Sequence, residues 1–407
     1  MTQLTVQPED AMASAALKTQ YTPSQYLALE RVAEFKHEYY DGYITAMAFV
    51  SPEHNRIALN IASRLNTEFK NRECQAFVSD IRLCVSSTGL YTYPDVMAVC
   101  GESRFQNIEG VESLLNPTII VEVLSPTTES YDRGAKFGHY RQLPSLKEYV
   151  LVSQDKVLVE RYTRQGDDWV LSEFKGRADT LQLLSIDCAV SLREIYAKVK
   201  FTASVTLLTV QPEDAMASAA LKTRYTPSQY LALERDADFK HEYFDGYITA
   251  MAGVSPEHNQ IALNFASTLN TEFKNRECQA FMSDIRLCVS STGLYTYPDV
   301  MAVCGEALFQ KIEGVDSLLN PTIIVEVLSP TTESYDRDAK FDHYRQLPSL
   351  KEYVLVSQDK LLVERFTRKG DGWVRREFKR LADTLQLRSI DCAVPLREIY
   401  AKVNFVK

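Results

Sequence analysis

The chain consists of two nearly identical tandem repeats, and this repetition constrains the fold more than any other feature. Residues 4–203 (copy one) align with residues 208–407 (copy two) at a constant offset of 204, with 28 differences in 200 positions and no insertion or deletion. Solenoid units are only roughly 20–50 residues long, so each copy is expected to be a complete domain. We predict a first domain at residues 1–199, a linker with a repeated leader at 200–224, and a second domain at 225–407.

Composition excludes several classes of protein. The 407 residues are 45% hydrophobic and 24% charged, as in ordinary globular proteins, and no apolar run approaches the ~18 residues of a membrane-spanning helix. The N-terminus lacks the basic segment of a signal peptide, so we expect a cytoplasmic protein without a membrane partner. The net charge of −9 argues against a strongly basic nucleic-acid-binding surface.

The eight cysteines show no C-x-x-C spacing, and several lie in apolar runs. We interpret all eight as reduced core residues rather than zinc ligands or disulfide partners.

Hydrophobic periodicity predicts an α/β fold, with β-prone runs and helices following one another in each copy. Asp41-Gly42 between two β-prone runs is a strong hairpin signal. The predicted elements of copy one are a helix from Thr22 through Phe35, a hairpin at 38–50, a helix at 53–71, strands at 74–86, 93–100 and 118–124, a helix at 129–142, a meander at 147–174 and a short helix at 192–199.

Two carboxylates interrupt strands that are otherwise apolar. Asp95 precedes Val96-Met97-Ala98-Val99, and Glu122 lies inside Ile119–Leu124. An acid in a central strand costs several kcal/mol unless it is paired, protonated or bound to a cation. The two acids could meet at adjacent strands; the alternative is that each lies on an exposed face or at a frayed strand end.

The predicted helix 129–142 carries Asp132, Lys136 and Tyr140 at spacings of four, which places them on one face. Lys136 either projects toward the acid pair or forms a solvated ion pair with Asp132. Near the hairpin, Glu38 has no structural explanation, whereas Asp41 is accounted for as a turn residue. His37, His54 and His139 are weaker candidates, and an exposed helical position is the simpler interpretation of His139.

Together these residues resemble the Uma-two endonuclease-like family of the PD-(D/E)XK superfamily. The resemblance covers roughly residues 21–197 and 225–401, and rests on the motifs Tyr39-x-Asp41-Gly42, Pro94-Asp95, Glu122-Val123-Leu124-Ser125-Pro126-x-Thr128, Asp132-x-x-x-Lys136-x-x-x-Tyr140 and Glu148-Tyr149. It implies a restriction-endonuclease-like fold in each copy, with a mixed central β-sheet flanked by helices. The superfamily normally has a lysine two residues after the glutamate. Here that position is Leu124, and the resemblance implies that Lys136 takes the lysine role.

The resemblance also implies a metal-dependent endonuclease that hydrolyses DNA phosphodiester bonds. Its catalytic residues would be Asp95, Glu122 and Lys136 in copy one and Asp299, Glu326 and Lys340 in copy two. Mg²⁺ or Mn²⁺ would be held by Glu38, Asp95, Glu122, Glu242, Asp299 and Glu326, since hard oxygen ligands favour these ions over zinc. The two copies would act as an intramolecular pseudo-dimer on DNA. Asp338 and Asp342 replace Gly134 and Gly138, so we expect weaker phosphate attraction in copy two.

Two alternatives remain open on the residues alone. The acidic balance and the displaced lysine also fit a nuclease-fold module that binds nucleic acid or a protein without meaningful turnover. The same acids could instead hydrolyse another small phosphoester. No G-x-x-x-x-G-K-[ST] or G-x-G-x-x-G motif is present, so no nucleotide cofactor is expected.

Overall fold

A computed structural model gives the architecture of both copies. It describes residues 21–26, 37–46, 50–108, 111–126, 128–201, 225–227, 229–231, 241–245, 247–250, 254–312, 315–330 and 332–405. Residues 202–224 of the predicted linker and most of the helix predicted through Phe35 lie outside these residues.

Copy one alternates short strands with few helices. Its strands are β1 His37–Tyr40, β2 Tyr43–Ala46, β3 Cys74–Val78, β4 Leu83–Val85, β5 Leu90–Thr92, β6 Val96–Cys100, β7 Phe105–Ile108, β8 Val111–Leu114, β9 Ile119–Leu124, β10 Glu148–Ser153, β11 Val159–Gln165, β12 Asp168–Phe174, β13 Thr180–Leu183 and β14 Cys188–Ser191. Helical segments among its described residues are 23–26, Pro52–Glu68, the 3₁₀ turns Phe69–Asn71 and Leu184–Ile186, Glu129–Tyr131, a π-helical turn Asp132–Lys136, Phe137–Tyr140 and Leu192–Ile195.

Copy two repeats this order. Its strands are β15 His241–Phe244, β16 Tyr247–Ala250, β17 Cys278–Met282, β18 Arg286–Val289, β19 Leu294–Thr296, β20 Val300–Cys304, β21 Phe309–Ile312, β22 Val315–Leu318, β23 Ile323–Leu328, β24 Glu352–Ser357, β25 Val363–Lys369, β26 Gly372–Phe378, β27 Thr384–Leu387 and β28 Cys392–Pro395. Its helical segments are Pro256–Glu272, Glu333–Arg337, Ala339–Tyr344, the 3₁₀ turn Arg388–Ile390 and Leu396–Ile399.

Each copy is built on a mixed central sheet, as predicted. In copy one the strand order is β12-β11-β10-β9-β6-β3, and β9 and β10 are parallel whereas the other neighbours are antiparallel. A second sheet has the order β2-β1-β5-β4-β8-β7. The strand β9 is buried along its whole length, which explains why all of its residues except Glu122 are apolar.

The local predictions are confirmed where the sequence signal is strong. Asp41 and Gly42 have φ angles of 48° and 84°, so both occupy the left-handed region that this tight hairpin turn requires. The long helix begins at Pro52 because the Ser51 side chain accepts a hydrogen bond from the His54 amide. The prediction of a single helix at 129–142 is wrong in detail. The observed helical segment contains a π-helical turn and ends at Tyr140.

The two copies pack on each other through the long helices Pro52–Glu68 and Pro256–Glu272. One cluster of buried apolar side chains contains residues of both copies, including Ile57 and Ile261. Polar contacts across the seam repeat with two-fold symmetry: the Val78 amide donates to Asn259, and the Met282 amide donates to Asn55. The two fused copies therefore share one hydrophobic core at their interface.

The interpretation of the cysteines as eight reduced core residues is wrong for four of them. Cys74 and Cys100 form a disulfide, and so do Cys278 and Cys304. Each pair is directly opposite on neighbouring antiparallel strands, a relation that a separation of 26 residues does not reveal. Cys84, Cys188, Cys288 and Cys392 are free and buried, as expected.

No helix within the described ranges has the length and apolar character needed to cross a membrane.

Candidate active site

The antiparallel pairing of β6 and β9 brings Asp95 and Glu122 together. Val96 is opposite Val121, so the same register extended by one position places Asp95 beside Glu122. The Asp95 amide donates to Glu122 Oε2 at 3.3 Å, and the Val123 amide donates to Asp95 Oδ2 at 2.7 Å. Glu122 is only 3% exposed, which contradicts the alternative of a solvent-facing acid.

Strand alternation places Glu122 on the face of the sheet that the helical segment 129–140 covers, because its neighbours Ile120 and Leu124 share an apolar cluster with Tyr140. Lys136 Nζ from this segment lies 3.1 Å from Glu122 Oε1 and 3.4 Å from Asp132 Oδ1. The Tyr140 hydroxyl donates to Glu122 Oε1 at 2.8 Å. The predicted face of Asp132, Lys136 and Tyr140 is therefore directed at Glu122, and the alternative of a solvated surface ion pair is wrong because both charged residues are buried.

The site holds more buried negative charge than its lysine balances. Burial raises the pKa of Glu122 to about 8; attraction to Lys136 opposes this rise, whereas repulsion from Asp95 and Asp132 adds to it. Burial also raises the pKa of Asp132, again against the opposing effect of Lys136. Three carboxylates close to one ammonium group form an environment that an additional cation would stabilise.

His54 belongs to the site, although its sequence context made it only a weak candidate. Its Nε2 lies 2.9 Å from Asp95 Oδ1, and the residue is 6% exposed. Burial alone would lower the pKa of His54, but the charge and hydrogen bond of Asp95 raise it above its ordinary value. The sequence signal was its position, since His54 lies on the helix face that carries Ile57, Ile61 and Leu65 into the core.

Copy two reproduces the arrangement. Lys340 Nζ lies 3.2 Å from Glu326 Oε1, the Tyr344 hydroxyl donates to the same oxygen at 2.7 Å, and His258 Nε2 lies 2.9 Å from Asp299 Oδ1. Burial raises the pKa of Glu326 to about 8, as for its counterpart.

The lysine-bearing helix of copy two differs in shape and in charge. It is interrupted at Asp338, where copy one has its π-helical turn. Asp338 and Asp342 are exposed, and Asp342 lies 2.9 Å from Arg345. The added negative charge is thus at the surface, outside the buried cluster.

The predicted ligands Glu38 and Glu242 are on β1 and β15, but their side chains lie outside the described residues. Their metal role remains a prediction.

The donor set fits a hard divalent cation. Within the described ranges, no three or more His, Cys, Asp and Glu side chains are grouped as a complete metal cage. Mg²⁺ does not need one, because it usually keeps several waters and binds through one or two carboxylates together with substrate phosphates. Asp95 and Glu122 supply two adjacent carboxylates, and burial raises the pKa of Glu122, so a bound cation would stabilise its ionised form.

The chain is similar to a known protein family and to individual proteins. A family model, Uma2, described as "Putative restriction endonuclease", matches residues 23–193 and 227–395. Two uncharacterized proteins of Synechocystis sp. are similar to the chain. One is 38% identical over 156 residues, which are 38% of this chain and 88% of the relative; the other is 34% identical over 181 residues, which are 44% and 93%. A crystal structure of a putative nuclease belonging to DUF820 from Anabaena variabilis is 17% identical with a TM-score of 0.38, covering 44% of this chain and 99% of that one.

Proposed function

The chain belongs to the Uma2 family of restriction-endonuclease-like proteins, and on that premise we propose that it is a metal-dependent endonuclease that hydrolyses DNA phosphodiester bonds. The observation that carries the proposal is the cluster of buried Glu122 and Lys136 with partly buried Asp95, repeated as Glu326, Lys340 and Asp299. An isolated buried acid costs stability, so two copies of a cluster with surplus carboxylates favour a functional role over a structural one.

Asp95 and Glu122, with Glu38 as a further candidate, would hold Mg²⁺ or Mn²⁺ in copy one; Asp299, Glu326 and Glu242 would do so in copy two. When bound, such an ion lowers the pKa of a coordinated water and neutralises negative charge on the phosphate. The chain's own residues prepare the site. The Val123 amide and His54 fix both oxygens of Asp95, and Tyr140 fixes Glu122.

Lys136 supplies the positive charge of the site, because Leu124 occupies the position where the superfamily normally has its lysine. Its ammonium group lies beside Glu122, where it would orient the attacking water or stabilise charge that develops on the phosphate. Because Asp132 contacts the same ammonium at 3.4 Å, we assign Asp132 the role of positioning Lys136.

The tandem arrangement supports cleavage of both DNA strands by one chain. The copies share a core through their long helices, so their sites are held in one body in the manner of a dimer of identical subunits. Each site would cut one strand, and a chain with a single working site would nick.

A nuclease-fold binding module without turnover is the second candidate, and the net charge of −9 favours it. The nuclease depends on a metal ion to bring the phosphate to its carboxylates. The two candidates therefore differ in their metal dependence: the nuclease needs the ion for cleavage, whereas the binding module retains DNA in EDTA.

The test is cleavage of supercoiled plasmid with Mg²⁺ or Mn²⁺. We expect wild-type protein to cut and the double variant Asp95→Asn with Asp299→Asn to lose at least 100-fold in rate. The matched control is Asp167→Asn with Asp371→Asn, which makes the same chemical change at exposed positions. Equal rates for wild type and the Asp95/Asp299 variant would refute the site. DNA binding in EDTA without cleavage under any metal would establish the binding module.

A further inference from the structure

A cleft of about 280 Å³ at the seam between the copies carries a marked excess of positive charge. It is lined by residues of both copies, namely the helix Pro52–Glu68, the segment 193–198 and residues 270–279. The charged side chains on its wall are five cations and one carboxylate: Arg56, Arg64, Arg193, Lys198, Lys274 and Glu194.

Arg56 is the most constrained of these cations. It is 8% exposed, its Nη2 donates to the Gln279 side chain of the other copy, and its guanidinium lies 5.2 Å from the centre of the Phe281 ring. No carboxylate of the described residues lies within ion-pair distance of it. Burial lowers the pKa of Arg56 to about 10, and only the charge of Glu53 opposes this. An almost fully buried guanidinium without a counter-ion is costly, so its environment favours the arrival of an anion.

The neighbouring cations are only partly neutralised. Lys274 is paired with Glu194 at 3.1 Å, and Arg64 is paired with Glu68 at 2.7 Å. Lys198 donates to backbone carbonyls of copy two, including those of Phe273 and Arg276 at 2.6 and 2.8 Å. Carbonyl oxygens stabilise the ammonium group but leave its net charge in place.

The symmetry-related cleft of about 270 Å³ provides an internal comparison. Its charged wall residues are two cations and two carboxylates, Lys70, Lys402, Glu272 and Glu398. The positions equivalent to Arg56 and Arg64 are Gln260 and Thr268. Two cations of the first cleft, Arg56 and Arg64, are therefore replaced by neutral residues in its counterpart.

We propose that the cleft around Arg56 is a binding site for a compact phosphate-class oxyanion, with Arg56 as its anchor and Arg193, Lys198 and Lys274 at its rim. Guanidinium groups bind phosphate oxygens through paired hydrogen bonds, and the cleft has room for a phosphate with a small attached group. Free phosphate, a phosphomonoester or a DNA backbone phosphate would all supply this chemistry. The site is separate from the carboxylate clusters and does not depend on nuclease activity.

The test is calorimetric titration of the full chain with inorganic phosphate in EDTA. Chloride keeps the ionic strength constant, and metal-free carboxylate clusters repel phosphate, so they do not contribute. The key variant is Arg56→Gln, which installs the residue that copy two already has at this position. We expect phosphate to bind wild type and to bind Arg56→Gln at least tenfold more weakly. Circular dichroism shows whether the variant is folded.

A matched pair of exposed variants keeps the test decisive if Arg56→Gln fails to fold. Lys274→Gln removes a cation from the cleft, whereas Lys70→Gln removes the equivalent cation from the symmetry-related cleft. We expect about threefold weaker phosphate binding for Lys274→Gln and no change for Lys70→Gln. Equal binding by wild type and all variants, or no binding by wild type, would overturn the proposal.

A competition arm identifies the source of the phosphate. If a short DNA duplex displaces inorganic phosphate from wild type, the site accepts a backbone phosphate. If duplex and phosphate bind together, the site takes a free phosphate or a phosphomonoester. Both results support an oxyanion site, and neither requires DNA cleavage.

Discussion

Without a metal ion, the stability of the chain should fall as pH rises through neutrality, because Glu122 and Glu326 are forced to ionise in buried positions. The pKa of each is raised from 4.5 to about 8, chiefly by burial. The folded state therefore binds a proton that the unfolded state has already released. The contribution that binding of these protons makes to the unfolding free energy is fully present below about pH 4.5, and it is lost as pH rises toward 8.

The magnitude follows from the two pKa values. Each unit of difference corresponds to about 1.4 kcal/mol, so the shift from 4.5 to about 8 limits the effect to about 5 kcal/mol per copy. Between pH 5 and pH 7 the expected loss in unfolding free energy is about 2.5 kcal/mol per copy.

The assay is urea unfolding in EDTA at pH 5, 6 and 7, for wild type and for Glu122→Gln with Glu326→Gln. Glutamine keeps the shape but cannot ionise, so the variant should lose most of the pH dependence in this range. Mg²⁺ should flatten the wild-type profile, because it stabilises the ionised carboxylates. A wild-type profile that matches the glutamine variant would refute the assignment of raised pKa values to these residues.

Three further predictions concern single contacts. Tyr140→Phe removes the hydroxyl that donates to Glu122, so we expect about 1–2 kcal/mol lower stability and a still higher pKa of Glu122, measured by urea unfolding across pH; Tyr140→Leu, which also removes the ring, should cost more. Lys402→Met removes donors to the carbonyls of Phe69 and Arg72, so it should lower the unfolding free energy by about 2 kcal/mol, whereas exposed Lys360→Met should not. Cys100→Ser should cost about 3 kcal/mol under oxidising conditions and nothing after complete reduction; equal stability of both proteins before reduction would contradict the disulfide.

The sequence predicts well those features that depend on local pattern. The two domains follow from the repeat, the hairpin follows from Asp41-Gly42, and the central strands follow from continuous apolar runs. The meeting of Asp95 and Glu122 was also accessible, because an acid inside a buried strand needs a partner. Helical spacing placed Asp132, Lys136 and Tyr140 on one face but left open whether Lys136 points toward the acids, and it did not predict the π-helical turn.

Other features that depend on pairing between distant segments were not predicted. The partnership of His54 with Asp95 spans 41 residues, and that of Cys74 with Cys100 requires the register of β3 against β6. The excess charge at the seam depends on where two separate domains meet. A single position such as Arg56 is unremarkable until its burial against Gln279 is known.

Calorimetric titration with Mn²⁺ tests the metal centres most directly, because it needs neither a DNA sequence nor turnover. If each Asp–Glu pair holds a cation, wild type should bind Mn²⁺ at one centre per copy. Asp95→Asn should remove half of the bound metal, and its combination with Asp299→Asn should remove the rest, while Asp167→Asn with Asp371→Asn retains all of it. Binding by the Asp95/Asp299 variant equal to that of wild type, or no Mn²⁺ binding by wild type, would contradict the assignment of these carboxylates as the metal centres.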